Sequence, residues 1–182
     1  RVSQGEHGKP FFPDFPEIHF SLSHSGEMAM AVFADTEIGC DIELKKQANE
    51  KLARRFFCPE EYAWMARAKD EPERKERFYR LWTLKESFLK ATGWGLRLPL
   101  DSFCFFITES AERESGRPGE PPVARERMNG DEAERYRRND AVTVRQRLDQ
   151  AQYDFREYRF GEYCAAICLQ SSASLCKKML LS

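Results

Sequence analysis

From His19 to Leu44 apolar and polar residues alternate in short runs, with turn residues between the runs. In HFSLSHSG, Phe20 and Leu22 point to one side, Ser21 and Ser23 to the other. MAMAVFAD (28–35) and IGCDIEL (38–44) read the same way, separated by Ser25-Gly26 and Asp35-Thr36. Period-two alternation bounded by turn residues predicts three strands, arranged as an antiparallel meander.

After Lys46 the period lengthens. NEKLARRFF predicts a short helix. CPEEYAWMARA predicts a second, with Pro59 at a first helical position and Glu60-Glu61 in the first turn. Pro72 opens a third, longer helix, PERKERFYRLWTLKESFLKAT, which Gly93 should stop. LPLDSFCFFI (98–107) returns to strand character, and YDFREYRF with EYCAAICLQ predicts a hairpin around Gly161. Between them, about 109–150 is dense in charge of both signs and carries RPGEPP. It reads as a surface insertion, with DEAERYRRND a candidate solvated helix. Residues 1–17 are loop-like, punctuated by Gly8, Pro10, Pro13 and Pro16.

Composition narrows the classes. The 182 residues suffice for one domain with a core, or two small ones packed together. A formal net charge of -1 argues against a general nucleic-acid binder. No apolar run approaches the roughly 20 residues of a membrane helix, and no signal peptide is visible, so no membrane partner and a cytoplasmic location are expected. The six cysteines form no CxxC pair or zinc spacing and are expected to be reduced and mostly buried.

Four groups of residues could carry chemistry. On strand 38–44, Asp41 and Glu43 share one face, with Cβ atoms roughly 6–7 Å apart at the strand rise per residue. Both could reach one Mg²⁺, which would relieve their repulsion. The plainer reading is an edge strand whose acids face water or pair with Lys45 and Lys46. On the third helix an apolar stripe of Phe78, Leu81, Trp82, Phe88 and Leu89 is interrupted by Lys85, while Trp82, Glu86 and Lys90 climb one face beside it. The plainer reading is a Glu86–Lys90 surface pair with Lys85 snorkelling. The turn SLSHSG offers Ser23, His24 and Ser25 to an anion, and GKP supplies Lys9 on a backbone shaped by Gly8 and Pro10. The elbow G-x-S-x-G of a hydrolase is absent. Acids and cations together suit a metal-bound polyphosphate.

The order GKP, FSLSHSG, IGCDIE, FFCPEEY, WTLKESFLKATG, LPLDSF closely resembles the 4′-phosphopantetheinyl transferases with two pseudo-symmetric halves that serve peptide and polyketide synthases. The resemblance covers residues 5 to about 107 and resumes at 153–169. It implies an α+β fold, an antiparallel sheet packed with helices. Residues 1–37 would be a remnant of a mostly missing first half, and 38–182 the second half. It also implies a holo-[acyl-carrier-protein] synthase type of reaction. The phosphopantetheine arm of coenzyme A moves to a serine of an apo acyl or peptidyl carrier protein, releasing adenosine 3′,5′-bisphosphate. By that resemblance Asp41, Glu43 and Glu86 bind Mg²⁺, with Asp41 also in the coenzyme A site. Glu86 is the base and Lys90 steadies the departing phosphate. Lys85 adds positive charge at the coenzyme A phosphates, Ser23 and His24 hold nucleotide phosphates, and Lys9 and Pro10 line the nucleotide pocket. Ser21 stands where the family often has Asn, Cys40 where an aliphatic is usual, and the 109–150 stretch exceeds the family's usual connection. Two rivals stay open: a Mg²⁺-dependent phosphohydrolase using the same acids, and a non-catalytic piece that binds carrier proteins or another subunit.

Overall fold

The computed structural model describes residues 1–5, 7–108, 135–137, 141–146 and 151–171. Two short strands, β1 (Ser3–Gln4) and β2 (Pro10–Phe11), pair near the start. A hairpin of β3 (His19–Ser25) and β4 (Met28–Ala34) follows, then β5 (Ile38–Leu44). Three helices come next: α1 (Glu50–Phe56), α2 (Pro59–Ala66) and α3 (Glu71–Thr92). The remaining strands are β6 (Cys104–Thr108), β7 (Arg135–Arg137), β8 (Ala141–Arg145), β9 (Tyr153–Phe160) and β10 (Tyr163–Gln170). The class is α+β, as the sequence predicts.

The helices start and stop for local reasons. Asn49 and Asp70 accept the backbone N–H groups of Leu52 and Glu73, satisfying donors that a helix leaves open at its N-terminus. Pro59 takes the first position of α2, where its missing N–H is harmless. Gly93 ends α3 at φ 73°, a left-handed turn that costs glycine little.

Strand pairing departs from the predicted meander. β3 and β4 pair, but β5 leaves them and pairs with β10, giving the sheet order β5-β10-β9-β7. The predicted hairpin turns at Gly161 and joins β9 to β10. The 98–107 run is strand only from Cys104; residues 95–97 and 100–102 are 3₁₀ turns. Within DEAERYRRND, Arg135–Arg137 pair with β9 as strand rather than forming helix, and β8 pairs with β6. Residues 109–134 of the charged stretch lie outside the described residues.

β5 lies between two apolar clusters. One face carries Ile38, Cys40 and Ile42 against Met30 and Val32 of β4. The other face meets α3, whose Phe78, Leu81, Leu84 and Phe88 anchor a larger core with β6, β9 and β10. Gly39 fixes how close β5 and α3 come: a Cβ there would lie 2.0 Å from the Ser87 carbonyl oxygen and 2.3 Å from the Ala91 nitrogen. Only a residue without a side chain fits that approach.

The cysteine expectation needs correction. Packing of α2 on β6 brings Cys58 and Cys104 together, and the structure joins them by a disulfide with Cα atoms 5.8 Å apart. Cys40, Cys164 and Cys168 are buried thiols. Burial raises the Cys40 thiol to about 11 and pushes Cys168 well up, so neither is poised as a nucleophile. Among the described residues no helix is long and apolar enough to cross a membrane.

Candidate functional site

The site forms where the hairpin β3–β4, strand β5 and helix α3 meet. Because Gly39 admits the α3 backbone, Asp41, two residues on, faces the helix at Lys90. Lys90 Nζ donates to Asp41 Oδ1 at 2.8 Å and to Ser23 Oγ at 3.1 Å. Ser23 in turn donates to the same Oδ1 at 2.7 Å. Asp41 Oδ2 is buried and has no hydrogen-bond partner among the described residues. Such an orphaned acceptor is expensive in a folded protein, and it marks a position where a ligand can be received.

Glu43 points along the same face of β5. Its Oε2 accepts from Ser25 Oγ at 2.8 Å. Glu86, one turn before Lys90 on α3, makes no side-chain hydrogen bond or ion pair among the described residues. Burial raises the Glu86 carboxyl above the usual carboxylate range, and the charges of Asp41 and Glu43 push the same way against Lys90. Burial likewise raises Asp41, with Lys90 opposing. Three carboxylates thus share one field around a single lysine, a surplus of negative charge in a half-buried place.

The donor chemistry fits a hard divalent cation: carboxylate oxygens only, one buried and unpartnered. The side chains are not drawn together on one point. Among the described residues, the set of three groups with ligand atoms within 4.8 Å of one another is Cys58, Glu60 and Cys104. There the two sulfurs are joined to each other and Glu60 pairs with Arg145.

Beside the acids opens a pocket of about 280 Å³, lined by His7, Lys9, Pro10, Leu22, Glu86 and Lys90 among others. Lys9 reaches back to Glu37 and donates to the Ala91 carbonyl at 2.7 Å. His24 shares the face of β3 that carries Leu22 and is exposed. The sequence-predicted Lys9, Pro10, Glu86 and Lys90 therefore meet in one pocket, with Asp41 and Ser23 joined to them through Lys90.

Two predicted site residues are placed otherwise. Lys85 is not at the pocket. Its ammonium is fully buried, ion-paired to Glu61 Oε2 at 2.9 Å, and donates to the carbonyls of Leu100 (2.6 Å) and Phe103 (2.9 Å). Its position interrupts the apolar stripe, so it points into the core, where only a buried anion could neutralise it. Ser23 was expected on a nucleotide phosphate, but its hydroxyl proton is committed to Asp41. The sequence reading missed Glu61, His7 and the structural part of Ser25. The signal for Glu61 was present: a buried lysine requires a buried acid, and Glu61 lies in the first turn of the helix that Pro59 opens.

Comparison with known proteins bears on this geometry. The model of the 4′-phosphopantetheinyl transferase superfamily matches residues 37–168, more than half of the chain. The chain belongs to that superfamily. The 4′-phosphopantetheinyl transferase Sfp of Bacillus subtilis (strain 168) is 48% identical over 103 residues, 57% of this chain and 46% of that protein. The 4′-phosphopantetheinyl transferase gsp of Aneurinibacillus migulanus is 40% identical over 100 residues, 55% and 41% of the two chains. HetI of Nostoc sp. (strain PCC 7120 / SAG 25.82 / UTEX 2576), of the same name, is 44% identical over 95 residues, 49% and 40%. In each case the match spans less than half of the relative's length. For this superfamily member, the stretch matched by the family model holds Asp41, Glu43, Glu86 and Lys90, while Lys9, Pro10, Ser23 and His24 precede it.

Proposed function

We propose that the chain transfers the 4′-phosphopantetheine arm of coenzyme A to a serine hydroxyl of an apo acyl or peptidyl carrier protein, with Mg²⁺ as cofactor and adenosine 3′,5′-bisphosphate as product. The observation that carries this reading is the meeting of Asp41, Glu43 and Glu86 with Lys90 beside a pocket, within a member of the superfamily. Asp41, Glu43 and Glu86 would hold the metal, and the orphaned Asp41 Oδ2 is the oxygen most in need of it. Bound there, Mg²⁺ would supply positive charge for the phosphates of the substrate.

The chain's own residues do the rest. Serine is a weak nucleophile at neutral pH and needs a positioned base. Glu86, with its carboxyl raised by burial and by two neighbouring acids, takes the proton of the carrier serine. Lys90, already held by Asp41 and Ser23, presents its charge to the departing phosphate. Lys9 and Pro10 shape the nucleotide end of the pocket, and the exposed His24 next along β3 from Leu22 takes a phosphate. Residues 1–37 we assign to one pseudo-symmetric half and 38–182 to the other. In support, β3 and β5 lie side by side without backbone pairing, and the family match begins at residue 37.

The test is the mass of an apo carrier protein after incubation with this chain, coenzyme A and Mg²⁺. One added phosphopantetheine arm, lost in Glu86→Gln, is the expected result. Release of nucleotide from coenzyme A with no carrier present would instead favour a phosphohydrolase. No change in either would favour a non-catalytic piece.

A further inference from the structure

The free edge of β5 is closed by side chains rather than by a neighbouring strand. The N–H groups of Cys40, Ile42 and Leu44 donate to the hydroxyls of Ser21, Ser23 and Ser25 at 3.1, 3.3 and 3.1 Å. Every second residue of β3 therefore serves every second amide of β5. An unpaired strand edge is normally satisfied by backbone carbonyls or water. Here a hydroxyl, which both accepts and donates, takes that place.

The donating half of each hydroxyl has its own use. The Ser23 hydroxyl donates to Asp41 Oδ1 and the Ser25 hydroxyl donates to Glu43 Oε2. Each serine thus ties one carboxylate oxygen to the backbone of the strand that carries the carboxylate. Among the described residues, Asp41 Oδ2 is buried with no hydrogen-bond partner, and Glu43 is held through Oε2 alone, with no hydrogen bond to its Oε1. A carboxylate held by one oxygen and open at the other is arranged to ligate through the open one.

We propose that Ser25 is a positioning residue for Glu43: its hydroxyl, anchored on the Leu44 amide, fixes the carboxylate so that its free oxygen can ligate the cation. The inference rests on the metal reading given under Proposed function. Ser25 touches no substrate; it acts through Glu43. A flexible glutamate loses rotamer freedom on binding a metal, and a hydroxyl that restricts it beforehand reduces that loss. Ser21 belongs to the same seam, but among the described residues no carboxylate accepts from it, which makes it the comparison.

The test measures Mg²⁺ and Mn²⁺ binding calorimetrically, without coenzyme A or carrier, on the whole chain and on Ser25→Ala, Ser25→Thr and Ser21→Ala. Ser25→Ala should weaken binding about tenfold, the lower end of what loss of a group behind a metal ligand brings. Ser25→Thr, which keeps the hydroxyl, should restore it to within about twofold, on the same scale. Ser21→Ala should speed hydrogen exchange at the Cys40 amide and leave the metal affinity alone. Unchanged affinity in Ser25→Ala despite faster exchange at Leu44, or an equal loss in Ser25→Thr or Ser21→Ala, overturns the inference and leaves the seam a structural one. A whole chain that binds neither metal overturns the metal reading and this inference together; binding that ignores Ser25 overturns this inference alone.

Discussion

Helix α3 carries three lysines that each pair with an acid, Lys75 at the surface with Glu162, and the other two, Lys85 and Lys90, have opposite characters. Lys85 is sealed. Its ammonium has three partners, and Glu61 in turn accepts from Lys85, the Cys58 amide (2.9 Å) and the Phe105 amide (2.7 Å). Lys85 also lies 4.4 Å from the centre of the Phe103 ring. Lys90 keeps 31% of its side chain exposed, and its acid, Asp41, has an oxygen with no partner among the described residues. A closed network of buried charges holds α2, α3 and the start of β6 in register. An open one, with acceptors to spare and Glu86 beside it unpaired among the described residues, is arranged for something that arrives from outside. Presence of a lysine–carboxylate pair does not separate these roles; completeness of the pairing does.

The sharpest way to break the comparison is to remove each cation. Lys85→Met strands Glu61 as a buried charge, and losing one partner of a buried pair costs about 3–5 kcal/mol. The urea midpoint should fall accordingly, and Cys58, Phe105 and Leu100 should lose amide protection. Lys90→Met should move the midpoint far less, because its ammonium is partly in water, yet should abolish transfer. Equal stability losses in the two variants would erase the distinction between the networks.

Gly39→Ala tests what brings the open network together. The added Cβ would overlap the α3 backbone at Ser87 and Ala91, so β5 or α3 must move. Overpacking of this kind costs about 1–3 kcal/mol. Asp41 and Lys90 should separate with it, so divalent-cation affinity should fall by more than the Ser25 substitutions produce. A fully stable Gly39→Ala chain with intact metal binding would show that this close approach is not what sets the site.

Much of this was legible in the sequence, and the limits have physical causes. Strands β3, β4 and β5, the three helices and the β9–β10 hairpin follow from local period and from caps such as Pro59 and Gly93. The partner of β5 did not follow: a strand's own alternation says which residues share a face, not which strand lies alongside. Asp41, Glu43, Glu86 and Lys90 stand out as candidates because two acids on one strand face and a Glu–Lys helix pair are local patterns, while the roles proposed for them rest on the resemblance. Lys85 was misplaced because the same WTLKE run reads equally as a binding lysine or a buried one. Only its distant partner Glu61, 24 positions earlier by 85 − 61, decides. The serine ladder was visible as Ser21, Ser23 and Ser25, yet its target was hidden, since nothing local tells a hydroxyl that serves a phosphate from one that serves the next strand.

Glu86→Gln separates function from stability within the open network. Among the described residues Glu86 has no hydrogen bond to lose, and the two like charges it would escape outweigh the single pull of Lys90. The metal-free chain should therefore keep its stability or gain up to about 1 kcal/mol, as sites that hold strain for function commonly do when relieved. Transfer should be lost. A marked destabilisation would mean that Glu86 serves the fold in the way Glu61 does.

The smallest effect is one of pH, and its sign follows from the raised carboxyls. Burial is the first cause for both Asp41 and Glu86, so each holds its proton more tightly folded than unfolded. A carboxyl raised in the folded state contributes stability that is fully present below its unfolded value and is lost as pH rises through the folded one. In a chelator-treated sample, stability of the wild-type chain relative to Glu86→Gln should therefore decline as pH climbs from about 4 toward 7, the span above the ordinary carboxylate range. Subtracting Glu86→Gln cancels the many other groups that titrate in that span. Added Mg²⁺ should flatten the decline, because a cation replaces the proton as the partner of the charge. Lys85 and Glu61 lie outside this cycle: their pairing is complete and no added cation can enter it. Urea midpoints at a series of pH values decide the matter, and a wild-type chain that gains stability against Glu86→Gln over this range would reverse the sign and with it the picture of Glu86 as an acid waiting for a partner.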